Sequence, residues 1–275
     1  MMNSPNSRSS SPNPPPSQSK WFVIALVVVA AGCAREPAAP QSAGKAAASQ
    51  STPAAAATSP ATAPAATAVA EASKATDRPA YAELPALEGE GWRSLFDGKT
   101  LGGWKTTDFA GHGAVEVKEG NLVLEMGATL TGVNLANTNG LPQWDYELAV
   151  DAMKVDGQDF FCGLTFVVGE SCCTFIVGGW GGGVVGISSI DGGDASMNET
   201  TKFKGFESKQ WYRIRVRVTH ARIEAWIGKE KMADVKLEGR RISMRPGEIE
   251  LNQPFGLATY QTTGAYRNIQ WRPVK

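Results

Sequence analysis

From Trp92 onward apolar and polar residues alternate with a period of two, and Gly, Asn and Asp mark the breaks. Tyr146, Leu148 and Val150 alternate with Glu147, Ala149 and Asp151. Tyr212, Ile214, Val216 and Val218 alternate with Arg213, Arg215 and Arg217, and Ile223, Ala225 and Ile227 with Arg222, Glu224 and Trp226. Side chains of a strand point to opposite faces in turn, so this pattern predicts strands with one face buried. Shorter runs predict further strands at residues 114–117, 121–125, 160–168, 172–177, 184–187, 231–235, 255–260 and 267–271. No stretch beyond Glu90 carries a helical period over three turns. About a dozen short strands separated by turn residues predict an all-β antiparallel β-sandwich.

Three hairpins are expected, turning at Glu119-Gly120-Asn121, Gly169-Glu170 and Gly228-Lys229. In the second, Cys162, Leu164 and Phe166 share a face with Cys173, Phe175 and Val177. The two cysteines then stand about 13 Å apart along the strands at 3.3 Å per residue, beyond the 7 Å or so that a disulfide spans. Cys172 and Cys173 are adjacent and point to opposite faces. No disulfide is expected in this hairpin, and buried thiols are the reading.

The N-terminal part has a different character. Residues 21–31 (WFVIALVVVAA) form one apolar run of eleven, short of the roughly 20 needed to span a bilayer. Arg8 and Lys20 precede it, and Ala30, Ala31, Gly32 and Cys33 follow. That order describes an export signal with a cleavage site. The small residues before Cys33 resemble a bacterial lipobox, which implies acylation of that thiol over residues 1–33. Ala34 rather than Asp follows, which resembles the outer-membrane default of lipoprotein sorting and places the protein at the cell envelope, lipid-anchored. A plain secretory signal or an uncleaved anchor is the alternative. Residues 34–85 are dominated by Ala, Pro, Ser and Thr. Recurring prolines break the helix that alanine would favour, so a disordered linker is expected, reaching about 40 Å on average. Residues 86–275 form the β-sandwich domain.

Formal net charge is zero, from 27 basic and 27 acidic residues. No basic excess attracts phosphate backbones, so nucleic acid is set aside as a partner.

The domain opens with LFDGKTLGGWK (residues 95–105) and closes with FGLATYQTTGAYRNIQWRP (residues 255–273). With EGNLVLE, DYELAVDAMK and QWYRIRVRV between them, these stretches resemble the 3-keto-disaccharide hydrolase family, also described as the 3-keto-alpha-glucoside-1,2-lyase/3-keto-2-hydroxy-glucal hydratase domain. The resemblance runs from about Gly91 to Pro273. It implies a concanavalin-A-like jelly roll that acts on keto-sugars by proton abstraction next to a carbonyl. The middle departs: where enzymatic members resemble one another in an Asn-Ser-Gly strand ending in Arg and a Glu-Tyr-Gln strand leading to Asp, this chain has QDFFCGLTFVVGESCCTFIVGGWGGGVVGISSIDGGD. No family catalytic residue carries over there.

Candidate chemistry is therefore read from the residues. Trp180, set among glycines 178–183, offers an open ring face to a sugar or folds back onto the core. Arg213, Arg215 and Arg217 share a strand face that Trp226 joins. They bind sugar hydroxyls there, with Arg215, Arg217 and Trp226 as substrate-binding candidates, or pair with acids across an exposed sheet. General acid/base work needs carboxyls flanking a cleft. Asp159, Glu170, Asp191, Asp194 and Glu199 lie in or beside the divergent middle, and Asp159, Glu170, Asp191 and Glu199 are the catalytic candidates. Asp191, Asp194, Asn198 and Glu199 supply four oxygen ligands in nine residues, a weak calcium pattern without EF-hand spacing. The two histidines, His112 and His220, have no ligand spacing that suggests zinc and no motif that suggests a serine triad, so no metal site is expected. The leading expectation is an envelope-tethered domain acting on 3-keto-glucosides, with a glycoside or polysaccharide ligand and membrane attachment through lipid. The alternative is a non-catalytic carbohydrate- or protein-binding module.

Overall fold

The computed structural model describes residues 84 and 86–275. The expected export segment with Cys33 and, residue 84 apart, the expected linker lie outside the described residues.

The described chain runs through β1 (Arg93–Ser94), β2 (Trp104–Thr106), β3 (Val115–Lys118), β4 (Asn121–Leu124), β5 (Leu130–Leu135), β6 (Tyr146–Gly157), β7 (Cys162–Val168) and β8 (Ser171–Gly178). It continues with β9 (Val184–Ser188), β10 (Lys202–Phe203), β11 (Trp211–Val218), β12 (Arg222–Ile227), β13 (Glu230–Lys236), β14 (Gly256–Tyr260) and β15 (Thr262–Pro273). Two antiparallel sheets result. One has the order β13-β12-β11-β6-β15-β4-β3 with β1 added beside β15, and the other the order β10-β9-β8-β7-β14-β5-β2. This is the all-β sandwich that the alternation predicts.

The inward positions are those that the period assigns. Leu148 and Val150 of β6, Ile214, Val216 and Val218 of β11, and Ile223, Ala225 and Ile227 of β12 form one core with Cys162, Leu164 and Phe166 of β7 and Cys173, Phe175 and Val177 of β8. All three expected hairpins form. Lys118 pairs with Asn121 across Glu119-Gly120, whose φ angles of 50° and 80° suit a tight two-residue turn. Val168 pairs with Ser171, and Ile227 with Glu230. Cys162 stands opposite Val177 and Cys173 opposite Phe166, the register that keeps the two sulfurs apart.

Four strands were not foreseen: β1, β2, β5 and β10. The strands at 146–150 and 267–271 extend further than the alternation indicated, to twelve residues each. The opening segment is fastened by its own side chains. Asp97 accepts from the backbone N–H of Lys99 and Thr100, both at 2.8 Å, and from the Thr100 hydroxyl at 2.9 Å. These donors hold its carboxyl below the usual range. Trp104 then donates to the Leu95 carbonyl at 2.8 Å and lies buried with its ring 6.1 Å from that of Phe255.

The same period that buries Leu148 and Val150 places Glu147 and Asp151 on the outer face of the eight-stranded sheet, where they are 0% and 1% exposed. A carboxylate removed from water needs cations and donors in place of its hydration. Arg213 grips Asp151 with two bonds, at 2.5 and 2.9 Å, and Asn268 donates to it at 2.8 Å. Arg217 donates to Glu147 at 3.1 Å and Arg272 at 2.6 Å. Indoles support the guanidinium groups: Arg215 lies 4.3 Å from the Trp226 ring centroid and Arg267 lies 4.1 Å from that of Trp211. Asn268 reaches Asp151 because it takes a left-handed φ of 50° at a register shift in β15. Asp151→Ala should destabilise the domain by about 3–5 kcal/mol, the usual cost of breaking a buried ion pair, as a lower urea midpoint with unchanged m-value. A midpoint equal to wild type would contradict this role.

Candidate functional site

The outer face of the seven-stranded sheet is built on the opposite plan. Gly132, Gly163, Gly186 and Gly256 occupy outward positions, so the sheet surface is low and chain segments lie directly upon it. A Cβ on Gly256 would stand 2.5 Å from the Asn252 carbonyl oxygen, and one on Gly186 2.7 Å from that of Ala195. The short helical turn Glu248–Asn252 is seated there by buried Asn252, which accepts from the Thr107 hydroxyl at 2.9 Å and donates to that of Thr165 at 3.3 Å.

What these segments leave uncovered is a cleft of about 410 Å³. Its floor is Leu130 of β5, Thr174 and Ile176 of β8 and Ser188 of β9; Asp159, Phe160 and Tyr260 line one part of the wall, and Arg245, Glu248 and Ile249 another. The Phe160 and Tyr260 rings form a tilted pair with centroids 6.0 Å apart. Trp180 stands in the turn Gly179–Gly182 between β8 and β9, 42% exposed, with φ of 50°. Asp159 fixes that turn. One of its carboxylate oxygens accepts from Gly181 N–H and the other from Phe160 N–H, each at 2.8 Å. The Arg245 guanidinium lies 5.7 Å from the Trp180 ring centroid and 3.7 Å from Asp194. Glu248 accepts from Ala110 N–H at 3.3 Å.

Of the residues singled out in the sequence, Asp159 and Trp180 come together in this cleft. Glu170 lies at the tip of the β7–β8 hairpin, on a separate cavity of about 370 Å³ lined also by Tyr146, Cys172 and Trp271. Asp191 and Glu199 both bind Arg240, at 2.6 and 2.5 Å, and Asp191 also accepts from Arg241 N–H at 2.7 Å. The Arg241 amide and the Arg240 guanidinium hold the Asp191 carboxyl below its usual range. Asp194 caps Ser196, and the Asn198 amide donates to the carbonyls of Ile187 and Gly193. The oxygens considered for calcium are thus engaged by Arg240, Arg245 and the Arg241 amide from a distant segment and by hydroxyls and amides of their own loop. Among the described residues no three His, Cys, Asp or Glu side chains are grouped to hold a metal ion. Arg215, Arg217 and Trp226 sit on the outer face of the other sheet, within the acid–arginine layer. His220 stacks on Trp144 at 4.7 Å, and His112 is exposed. Sequence reasoning did not single out Phe160, Ser188, Arg245, Glu248 or Tyr260. The one available signal was Arg245-Pro246-Gly247-Glu248, two opposite charges astride a turn.

Residues 91–272 match the family described as the 3-keto-alpha-glucoside-1,2-lyase-like domain. The chain belongs to this family. No curated protein matches the chain. Among solved structures, it is similar to one described under endo-acting O-glycanases of the human gut microbiota, with TM-score 0.44 and 12% identity over 67% of this chain and 98% of that one. It is also similar to a carbohydrate binding module from Bacillus subtilis, with TM-score 0.40 and 11% identity over 62% and 95%. A Bacillus subtilis protein with a galectin-like fold gives TM-score 0.43 and 9% identity over 63% and 90%. In this 3-keto-alpha-glucoside-1,2-lyase-like domain, a carbohydrate-related β-sandwich, the two end motifs are framework. Asp97 and Trp104 fasten the opening, and Asn268 braces Asp151. The cleft residues Asp159, Phe160, Trp180 and Ser188 come instead from the divergent middle.

Burial pushes the Cys172 thiol up to about 11 and raises the Cys162 and Cys173 thiols as well. A thiol with that value is almost wholly protonated at pH 8, and the thiolate is the nucleophile. Iodoacetamide at pH 8 should leave these three cysteines unmodified in the native protein and label all three in urea, as read by peptide mass. Rapid native labelling of Cys172 would contradict the burial described.

Proposed function

We propose that the cleft on the seven-stranded sheet binds a 3-keto-glucoside and expels its aglycone by elimination across C1 and C2. A ketone at C3 acidifies the hydrogen on C2. A carboxylate takes that proton, the C1=C2 double bond forms as the bond from C1 to the aglycone oxygen breaks, and the aglycone oxygen takes a proton from solvent, to which the carboxyl later returns the one it removed. Addition of water to the double bond then completes hydration. The chain's membership of the 3-keto-alpha-glucoside-1,2-lyase-like family supports this chemistry. The observation that supports this cleft as its site is the meeting of Glu248, Arg245 and Asp159 beside the Phe160–Tyr260 pair.

The roles follow from what each group already does. Both oxygens of Asp159 accept short backbone bonds, so it acts as the positioning residue for the Trp180 turn. Glu248 accepts one long backbone bond and serves as the base. Arg245, three residues earlier on the same wall, stabilises the negative charge that develops on the C3 oxygen. Phe160, Tyr260 and Trp180 supply apolar ring faces for the sugar.

A second reading, sugar binding without turnover, draws on the use of Asp159 as a turn acceptor and on the exposure of Trp180. Incubating the protein with 3-keto-glucosides and their parent glucosides while following aglycone release separates the two. Glu248→Gln should lower kcat by about 10²–10⁴-fold, the contribution typical of a general base, with substrate still bound. Wild-type binding without release would leave the binding reading in its place.

The proposal extends to location. The apolar run at residues 21–31, the small residues before Cys33 and Ala34 after it support an exported lipoprotein held at the envelope, on the outer membrane. Among the described residues no helix is long and apolar enough to cross a membrane. Cys33→Ser should move the protein from the membrane to the soluble fraction with the domain's melting temperature unchanged. A variant that stays with the membrane would make the apolar run itself the anchor.

A further inference from the structure

Two buried hydroxyls of the seven-stranded sheet, those of Ser188 and Thr259, have no hydrogen-bond partner among the described residues; Thr259 shares the core-facing side of β14 with Leu257, whereas Ser188 lines the cleft. The Thr165 and Thr174 hydroxyls pair at 3.0 Å, Thr174 also lies 3.8 Å from the Met244 sulfur, and the nearby Thr200 hydroxyl bonds Asn198 at 2.6 Å. Ser188, cross-strand neighbour of Thr174, is 2% exposed and lines the cleft, and its hydroxyl has no hydrogen-bond partner among the described residues. A buried hydroxyl left without a partner destabilises the fold, so such a group is retained at a cost that an incoming polar atom removes.

We propose that Ser188 is a ligand-binding residue whose hydroxyl bonds an oxygen of a neutral sugar lying on the cleft floor; this rests on reading the cleft as the sugar site. The hydroxyl both donates and accepts, so it serves a sugar hydroxyl or a ring carbonyl equally. The charged groups lining the cleft are Asp159, Glu248 and Arg245, one negative charge in excess. A sugar carrying a carboxylate or phosphate is repelled there, and a neutral one is not.

The test uses opposite responses of stability and binding in Ser188→Ala of the full chain, by calorimetric titration with a 3-keto-glucoside, the parent glucoside and the matching glucuronide. Binding of the neutral sugars should weaken about tenfold, the loss of one well-placed hydrogen bond. The melting temperature without sugar should hold or rise, because the variant loses an unpaired polar atom. Ser188→Cys, close in volume and only a weak donor, should show the same weakening. Unchanged binding in both variants, or a sugar-free melting temperature lowered by several degrees, overturns the assignment. Tighter binding of the glucuronide than of the neutral glucoside overturns the ligand class. If the wild type binds no sugar at all, the cleft reading falls with it. If it binds without releasing aglycone, only the lyase reading falls.

Discussion

Glu147 and Asp151 stand on a central strand with almost no contact with water, and the outer face of the eight-stranded sheet is organised around them. The alternation that builds the core puts them there, because every second residue of β6 must point away from it. Neutralising them takes arginines from β11 and β15 together with Asn268 at the β15 register shift. Removing one member leaves the rest of a desolvated network uncompensated. The indoles of Trp211 and Trp226 extend the layer sideways, so the face is spent on structure.

That commitment leaves the other sheet to carry a site. Its outer face is low because glycines occupy it, and segments distant in sequence settle on it: the chain near Ala195, the turn at Glu248–Asn252 and the Trp180 turn at the end of β8. The cleft is the gap between them. It collects an aromatic pair, two carboxylates, a guanidinium and a buried hydroxyl on a rigid floor, the mixture of apolar wall and few polar groups that small-molecule sites share.

The framework was legible in the sequence because one-sided burial writes a period of two. Where burial is two-sided, the signal vanishes. β5 is buried at all six positions, with Gly132 and Asn134 covered from outside while Thr131, Val133 and Leu135 are covered from within, so no polar alternation marks it. β1 and β10 have two residues each, too few for any period. The site was half legible. Asp159 and Trp180 stood out as a charge and an indole beside glycines, whereas Arg245, Glu248 and Tyr260 join them only through long-range folding. The arginine row on β11 drew attention for its charge, yet its partners Glu147 and Asp151 lie over 60 residues away in sequence.

Glu248 and Asn252 are the two ends of a single turn, and Asn252 is locked into the sheet surface by Thr107 and Thr165. The backbone that presents the Glu248 carboxylate is therefore ordered when the domain folds. A sugar arriving in the cleft does not have to freeze that loop again, so the entropy lost on association is confined to the ligand and to exposed side chains such as Trp180 and Arg245.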